Sequence, residues 1–285
     1  MNKFMKTIAL SMAMLCLGAG AAGAAQFSDA QSGKNLTAAQ LAQRLQKYDI
    51  VFFGEFHDQG EIHQSEIDLL QAMHKLKGAK LALSVEMFEA DNQDKLDKFL
   101  AGALSEEDFL ATARPWPNYR TDYAPLVNFA KEKKMPVIAA NVPRFLAAHV
   151  AKNNASTEGI AEQYLQWLPK HTYAPEGAYK DKFYAQMNSP EAPMKMPPAR
   201  LAAVYAAQCL KDDKMAESIA AFADAYQNMQ ILHINGCFHS DGHLGTAQKL
   251  EALRPKLKVA VITPLERKQK GTEPAGDFVV WFDRK

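Results

Sequence analysis

Short apolar segments alternate with amphipathic segments along most of this chain, and this alternation constrains the fold more than any other feature. Buried strands are predicted at 49–53, 81–85, 136–140, 231–234 and 258–262, with a sixth candidate at 278–282. The segments between most of them have the spacing of helices with one apolar face. Strands that alternate with helices form a mostly parallel sheet covered by helices on both faces. The sequence therefore predicts an α/β fold.

The alternation stops between residues 150 and 229, where we find no convincing strand pattern. Four prolines at 190, 193, 197 and 198 precede a long helical pattern over 199–227. We predict a helical cap at 150–229, inserted into an α/β core formed by 25–149 and 230–285. The cap is expected near the carboxyl ends of the strands. Residues 26–35 are polar and are predicted to form a loop.

The first 24 residues have the pattern of a secretory signal peptide. Lys3 and Lys6 precede an apolar run over 8–17, and small residues follow over 18–25. The apolar run is too short to span a membrane, so cleavage after residue 24 and a periplasmic location are predicted. A lipid anchor at Cys16 in the outer membrane is the less favoured alternative, because the bulky Leu15 precedes the cysteine.

Charge and cysteine content narrow the function classes. The chain carries 33 Lys and Arg against 32 Asp and Glu, so it offers no electrostatic basis for binding nucleic acid. Cys209 and Cys237 follow the predicted signal peptide. A disulfide between them is compatible with an oxidising compartment, but a buried free thiol on a helix is preferred for Cys209.

Polar side chains follow four of the predicted strands. Ligands of open parallel sheets bind outside the carboxyl ends of the strands. We therefore predict one cavity lined by Glu55, His57, Glu86, Asn141, Arg144 and His239. Arg144 is expected to pair with Glu86 or with an anionic ligand, and His57 is the preferred acid–base group. No metal is assigned, because the histidine spacing is not that of a zinc motif.

Aromatic residues are concentrated in the predicted cap. Most of them are expected to belong to a helical core, but the alternative is an apolar slot in which a phenol ligates haem iron. The candidate tyrosines are Tyr173, Tyr179 and Tyr184, and His171 and Lys180 lie close enough in sequence to bind haem propionates.

Five separated motifs resemble those of the ChaN-type haem-binding proteins of Gram-negative bacteria, many of which are lipoproteins. They are Gly54 to Asp58, Glu86 to Phe88, Pro136 to Arg144, Ala207 to Glu217 and Asn235 to His239. The resemblance spans roughly residues 35–265 and extends to a larger group with Tiki-type metalloproteases and erythromycin esterases. Asn141 and Asp212 lie within these motifs, and the resemblance makes them candidate cofactor-binding residues.

The resemblance implies an exported haem-binding protein of haem or iron acquisition, with haem held by a tyrosine between the sheet rim and the cap. A homodimer linked by haem and an outer-membrane haem or iron receptor are the expected partners. The alternative is a metalloprotease-like or esterase-like hydrolase. Its catalytic residues would be Glu55, His57, Glu86, Arg144 and His239.

Overall fold

A computed structural model describes residues 26–190, 192 and 194–284, so the predicted signal peptide and Cys16 lie outside the described residues. The strands are β1 (Phe27–Asp29), β2 (Asn35–Leu36), β3 (Ile50–Glu55), β4 (Leu81–Glu89), β5 (Val137–Asn141), β6 (Gln230–Gly236), β7 (Val259–Glu266) and β8 (Phe278–Phe282). The helices are α1 (Ala38–Leu45), α2 (Gly60–Lys77), α3 (Gln93–Leu100), α4 (Glu106–Thr112), α5 (Ala124–Glu132), α6 (Arg144–Lys152), α7 (Glu162–Leu165), α8 (Ala178–Met187), α9 (Pro198–Ala225) and α10 (Thr246–Leu253).

The eight strands form one sheet in the order β2-β1-β8-β7-β3-β6-β4-β5. Every pairing from β8 to β5 is parallel, which confirms the predicted α/β fold. The prediction of a loop at 26–35 is wrong in part. Strand β1 pairs antiparallel with β8, and β2 pairs antiparallel with β1 at the edge of the sheet. The signal was weak because β1 is only three residues long and pairs with a strand about 250 residues away in sequence.

Helix caps follow the sequence closely. Thr37 and Gln40 form a reciprocal capping box at the start of α1, and Ser105 accepts the Asp108 N–H at the start of α4. Two helices, α3 and α4, occupy the segment between β4 and Ala113, and Gly102 separates them at φ +76°. No helix within the described ranges is both long and apolar enough to cross a bilayer.

The 28-residue helix α9 contributes residues to two apolar clusters. Its length is about 42 Å, which exceeds that of any strand in the sheet. The second half packs Met215, Ala216 and Ile219 against one face of the sheet, where they contact a cluster that includes Phe52. The first half contributes Leu201, Tyr205 and Cys209 to a separate cluster with Tyr179 and Phe183 of α8 and the partly buried Phe238, which follows β6. The helical region thus covers one face of the sheet and also lies over the carboxyl ends of the strands. That this region is a separate cap with limits at 150 and 229 stays a prediction.

A side chain closes one edge of the sheet. Strand β5 lies at the end of the strand order, so its outer backbone groups have no neighbouring strand. The Gln93 amide donates to the Val137 carbonyl at 2.8 Å and accepts the Ala139 N–H at 2.7 Å. Gln93 therefore supplies two of the hydrogen bonds that a further strand would make.

A register shift separates two glutamates at the end of β4. Val85 pairs with Ala139, but the next paired residue on β4 is Glu89, opposite Asn141. Two extra residues of β4 are thus accommodated before the strand ends. The strand was predicted to end at 85, and its extension to Glu89 brings Glu86 to the cavity described below.

Candidate functional site

A cavity of about 850 Å³ lies at the carboxyl ends of β3, β4 and β6. Four of the six residues predicted to share one site line it, namely Glu55, His57, Glu86 and His239. Its apolar walls come from Trp116, Phe183, Met187 and Phe238, and its cationic side chains are Lys182 and Lys211. The parallel strands bring the four polar residues together because their carboxyl ends meet at one rim.

His57 is held by a buried carboxylate and faces the cavity. Its Nδ1 lies 2.6 Å from Glu55 Oε1, and the Tyr123 hydroxyl donates to the same oxygen at 2.9 Å. The imidazole side chain is 45% exposed, whereas that of Glu55 is fully buried. Burial alone would raise the pKa of Glu55, but the hydrogen bond from His57 and the nearby imidazole of His63 outweigh it and bring that pKa to about 2. Burial opposes protonation of His57, yet Glu55 and Glu86 raise its pKa above the ordinary value.

A second imidazole lies beneath the first. His63 of α2 places Nδ1 3.1 Å from Glu55 Oε2 and 3.1 Å from Glu66 Oε2, and Glu66 lies one helical turn further on. The two carboxylates overcome the effect of burial and raise the pKa of His63 to about 11. Burial and the neighbouring Glu55 charge raise the pKa of Glu66 well above its usual range. This group is almost completely shielded from solvent.

His239 forms the opposite side of the cavity and is held in a similar way. Its Nδ1 lies 2.6 Å from Asp212 Oδ1, and its Nε2 lies 3.4 Å from Glu86 Oε1. Asp212 also accepts hydrogen bonds from the Tyr179 hydroxyl at 2.6 Å and the Thr246 hydroxyl at 2.8 Å. Burial opposes protonation of His239, but the nearby carboxylates raise its pKa to about 9.

Glu86 lies between the two imidazoles. It accepts the Gly236 N–H at 2.8 Å, and burial would raise its pKa, but the charges of His239 and His57 hold that pKa well below the ordinary range. Gly236 is required here, because a Cβ would come within 2.9 Å of the His57 ring. The rim therefore pairs carboxylates of lowered pKa with imidazoles of raised pKa, an arrangement that can donate and accept protons.

The predicted positions of Arg144 and Asn141 in the cavity are wrong. Arg144 does not pair with Glu86, because its Nε donates to Glu89 Oε1 at 2.5 Å, outside the cavity. Arg114 donates to the other oxygen of Glu89 at 2.7 Å. The register shift in β4 explains the error, since it presents Glu89, not Glu86, to both arginines. Asn141 is buried and donates to the Glu86 carbonyl at 3.2 Å, which makes it a backbone support of the rim.

The three candidate tyrosines lie in different environments. Tyr179 is only 1% exposed, and its hydroxyl is bound by Asp212. Tyr184 is half-buried on α8, beside Phe183 and Tyr205. Tyr173 is 62% exposed.

The other predicted cofactor-binding residues lie outside the cavity. His171 is exposed, and its backbone N–H donates to the Glu217 carboxylate. Lys180 donates to Glu176 at 2.7 Å. Asp212 is fully buried, so it supports His239 without lining the cavity.

Sequence reasoning missed three residues of the site. Tyr123 lies 68 positions from Glu55, so no local pattern connected them. Gln208 and Lys211 both line the cavity from α9, and the Gln208 amide lies 3.1 Å from His239 Nε2. Their i, i+3 spacing was a usable signal, because it places two polar side chains on one face of a helix. Cys209 and Cys237 are free thiols, and Cys209 is buried on α9 as expected.

The sheet is covered by α2 on one face and by α9 on the other. Together with the polar cavity at its carboxyl rim, it defines an α/β protein with a ligand-sized site above the strand ends. Residues 41–250 match the family described as haem-binding uptake, Tiki superfamily, ChaN, and the chain belongs to that family. No curated protein matches the chain.

Two solved structures share the fold. ChaN of Campylobacter jejuni, described with cofacial haem binding, is 17% identical with a TM-score of 0.67, over 89% of this chain and 94% of its own. A mutant of the erythromycin esterase EreC in its open conformation is 12% identical with a TM-score of 0.50, over 89% of this chain and 82% of its own. At these identities the likeness extends to the fold alone.

Proposed function

We propose that this protein binds ferric haem and acts in haem or iron acquisition after export to the periplasm. Membership of the haem-binding uptake family supports haem as the ligand. The predicted signal peptide supports export, and the likeness of the fold to ChaN of C. jejuni is in keeping with haem as the ligand. An outer-membrane haem or iron receptor is the partner that this role requires.

The proposed axial ligand is Tyr173, and one observation carries that choice. Of the three tyrosines predicted from sequence, Tyr173 alone combines a largely exposed ring with a fixed backbone. Its N–H donates to Asp213 Oδ2 at 2.9 Å, and its carbonyl accepts a hydrogen bond from Lys249. The Tyr179 hydroxyl, by contrast, is buried and committed to Asp212, so its use would require repacking. A phenolate supplies a hard anionic oxygen to ferric iron when haem is bound.

The surroundings of Tyr173 fit haem in part. Tyr173 lines a depression of about 240 Å³ whose apolar residues include Val150, Ala206 and Leu210 and whose polar residues are Thr157, Thr172 and Asp213. That volume is below the roughly 300–1,000 Å³ of pockets that enclose a ligand of this size, so one haem face would stay open. A second copy of the chain would cover that face. The exposed Lys170 and His171 lie close in sequence to Tyr173 and can bind propionates.

Hemin titration followed by absorbance tests the axial ligand. The wild-type chain is expected to give a saturable Soret change. Tyr173→Phe is expected to weaken binding at least about tenfold and to remove the tyrosinate spectrum. Wild-type affinity and the tyrosinate spectrum are expected to remain in three other variants, namely Tyr179→Phe, Tyr184→Phe and the exposed control Tyr226→Phe. A wild-type chain without a saturable change would refute haem binding, and an unchanged Tyr173→Phe spectrum would refute only the ligand assignment.

Sedimentation velocity tests the second copy. The chain is expected to sediment as a monomer without hemin and as a dimer with one equivalent, because haem-mediated contact favours the associated state by mass action. A haem-bound monomer at micromolar concentration would contradict the haem-linked dimer and leave haem binding intact.

A hydrolase is the second candidate function, and the paired imidazoles of the cavity favour it. His57 and His239 each have a carboxylate 2.6 Å from Nδ1, the arrangement that orients a catalytic imidazole. Glu86 carries negative charge between them and could orient a water molecule.

Hydrolysis of a panel of p-nitrophenyl esters and fluorogenic peptides tests this candidate. Activity is expected to fall by about 100-fold or more in His57→Gln, as for loss of an acid–base group. Activity should persist in His243→Gln, where the histidine lies outside the cavity. Absence of wild-type activity above background across the panel would count against the hydrolase.

A further inference from the structure

We propose that Glu55, His63 and Glu66 form a binding site for a divalent first-row metal ion, beneath the cavity and separate from the Tyr173 surface. The three residues come from the end of β3 and the first turns of α2. One ligand atom from each lies within 4.8 Å of the others, and all three residues are buried.

The spacing of the ligand atoms suits a metal ion. His63 Nδ1 lies 3.1 Å from Glu55 Oε2 and 3.1 Å from Glu66 Oε2. Nitrogen and oxygen ligands 2.0–2.2 Å from one ion, at angles of about 90–110°, are separated by roughly 2.8–3.6 Å. Both measured separations fall inside that range.

The orientation of His63 selects the correct ring nitrogen. Its Nε2 lies 3.2 Å from the His57 carbonyl oxygen, which can only accept a hydrogen bond. Nε2 therefore carries a proton, and Nδ1, which faces both carboxylates, is the atom that would bind an ion once the ion displaces its proton. Ligating histidines are commonly fixed in this way by a carbonyl or carboxylate behind the ring.

Two oxygens of the cluster have no hydrogen-bond partner within the described part of the chain. They are Glu55 Oε2 and Glu66 Oε1, and both residues are at most 1% exposed. One Nδ1 proton cannot satisfy two buried carboxylates, and unpartnered buried acceptors of this kind are rare in proteins. An ion at the Nδ1 position would bind an oxygen of each.

The donor set indicates the class of ion. Two carboxylates and one imidazole suit Zn²⁺, Mn²⁺ or Fe²⁺, and an ion that displaces their protons would meet two negative charges that match a dication. Glu55 connects the proposed site with the cavity, because it lines the cavity and also reaches His63. The remaining coordination positions would be filled by water or by a ligand from that side.

The test uses the full chain, treated with EDTA and then equilibrated with Zn²⁺ or Mn²⁺. Isothermal titration and elemental analysis are expected to give about one ion per chain. His63→Gln and Glu66→Gln are expected to weaken binding at least about 100-fold, because loss of an outer partner alone costs 10–100-fold. Hemin titration of the same variants is expected to match wild type, which separates this site from the proposed haem site.

Two histidines provide matched controls. His243 also lies between two carboxylates, but Glu251 and Asp277 bind opposite ring nitrogens, so they share no position for an ion. His239 belongs to the opposite side of the cavity. His243→Gln and His239→Gln are both expected to keep wild-type metal affinity.

Three results would overturn the proposal. They are a wild-type chain that binds neither ion below a Kd of about 100 µM, retained affinity in folded His63→Gln, and loss of affinity in His239→Gln instead. If the variants do not fold, anomalous diffraction from wild-type crystals grown with Zn²⁺ decides the question. A peak between Glu55 and His63 supports the site, and peaks only elsewhere refute it.

Discussion

The two sides of the cavity hold their histidines in nearly the same way but expose them differently. On one side a buried glutamate accepts a tyrosine hydroxyl and lies 2.6 Å from His57. On the other a buried aspartate accepts a tyrosine hydroxyl and lies 2.6 Å from His239. The His57 side chain is 45% exposed, whereas that of His239 is only 6% exposed.

This comparison separates ligand contact from structural support. His57 can meet a ligand directly because its ring reaches the open part of the cavity. His239 is enclosed by Asp212, Glu86 and Gln208, so its charge mainly balances buried carboxylates. The same pairing of an imidazole with a carboxylate therefore supports the structure where it is buried and can contact a ligand where it is exposed. Substitutions on the His239 side should lower the free energy of unfolding, while those at His57 should weaken ligand binding.

The largest expected effect comes from removing the Asp212 carboxylate. Asp212→Ala leaves His239, Tyr179 and Thr246 without their acceptor in a buried setting. We expect the free energy of unfolding to fall by about 3–5 kcal/mol, measured by urea denaturation. The exposed pair of Asp224 with Arg254 provides the control, and Asp224→Ala should cost at most about 1 kcal/mol. An equal cost for both variants would contradict the supporting role of Asp212.

The second largest expected effect is a loss of stability at alkaline pH, when His239 loses its proton. Its pKa is about 9 in the folded chain against 6.5 for an ordinary histidine, so its contribution is complete below pH 6.5 and is lost as pH rises through 9. We expect the contribution of His239 to the free energy of unfolding to fall by on the order of 2–3 kcal/mol between pH 6 and pH 9.5. His243 and His63 also lose stability over this interval, so the contribution is read as the difference between His239→Gln and its parent, both in a His243→Gln background. If His239→Gln leaves the slope unchanged there, the assignment is wrong.

Removing either tyrosine hydroxyl should have similar, smaller effects. Tyr123→Phe and Tyr179→Phe each delete one hydrogen bond to a buried carboxylate, at a cost of about 1.5–3 kcal/mol. Tyr119 is the matched control, since its buried hydroxyl has no hydrogen-bond partner among the described residues. Tyr119→Phe should be neutral or slightly stabilising in thermal unfolding. Costs for Tyr123 and Tyr179 that differ by more than about twofold would show that the two sides are less alike than their distances suggest.

The smallest effect on stability is expected at His57. His57→Gln removes a half-exposed ring, so solvent replaces most of what is lost, and unfolding should change by less than about 1 kcal/mol. His239→Gln should cost clearly more in the same urea titration. Equal costs would mean that exposure does not separate the two histidines.

Much of this architecture could be predicted from sequence because its signals are local. The strands carry continuous apolar runs, and the residues that follow them share one rim, which sufficed to bring Glu55, His57, Glu86 and His239 together. The prediction that Arg144 pairs with Glu86 was wrong because the register shift in β4 depends on tertiary packing. The alternation of apolar and polar residues in the sequence does not reveal such a shift. The supporting tyrosines are equally long-range, since Tyr179 is 33 positions from Asp212.

The closed outer edge of β5 has a consequence for how copies of the chain can meet. Because the Gln93 amide occupies the Val137 carbonyl and the Ala139 N–H, that edge cannot add a strand from another molecule without first releasing Gln93. Intermolecular sheet growth, the first step toward fibrils, is therefore opposed at this edge by a single amide. A pairing of two copies at this side of the sheet would have to use side-chain surfaces or a bound ligand, and one that haem brings about would end when the haem leaves.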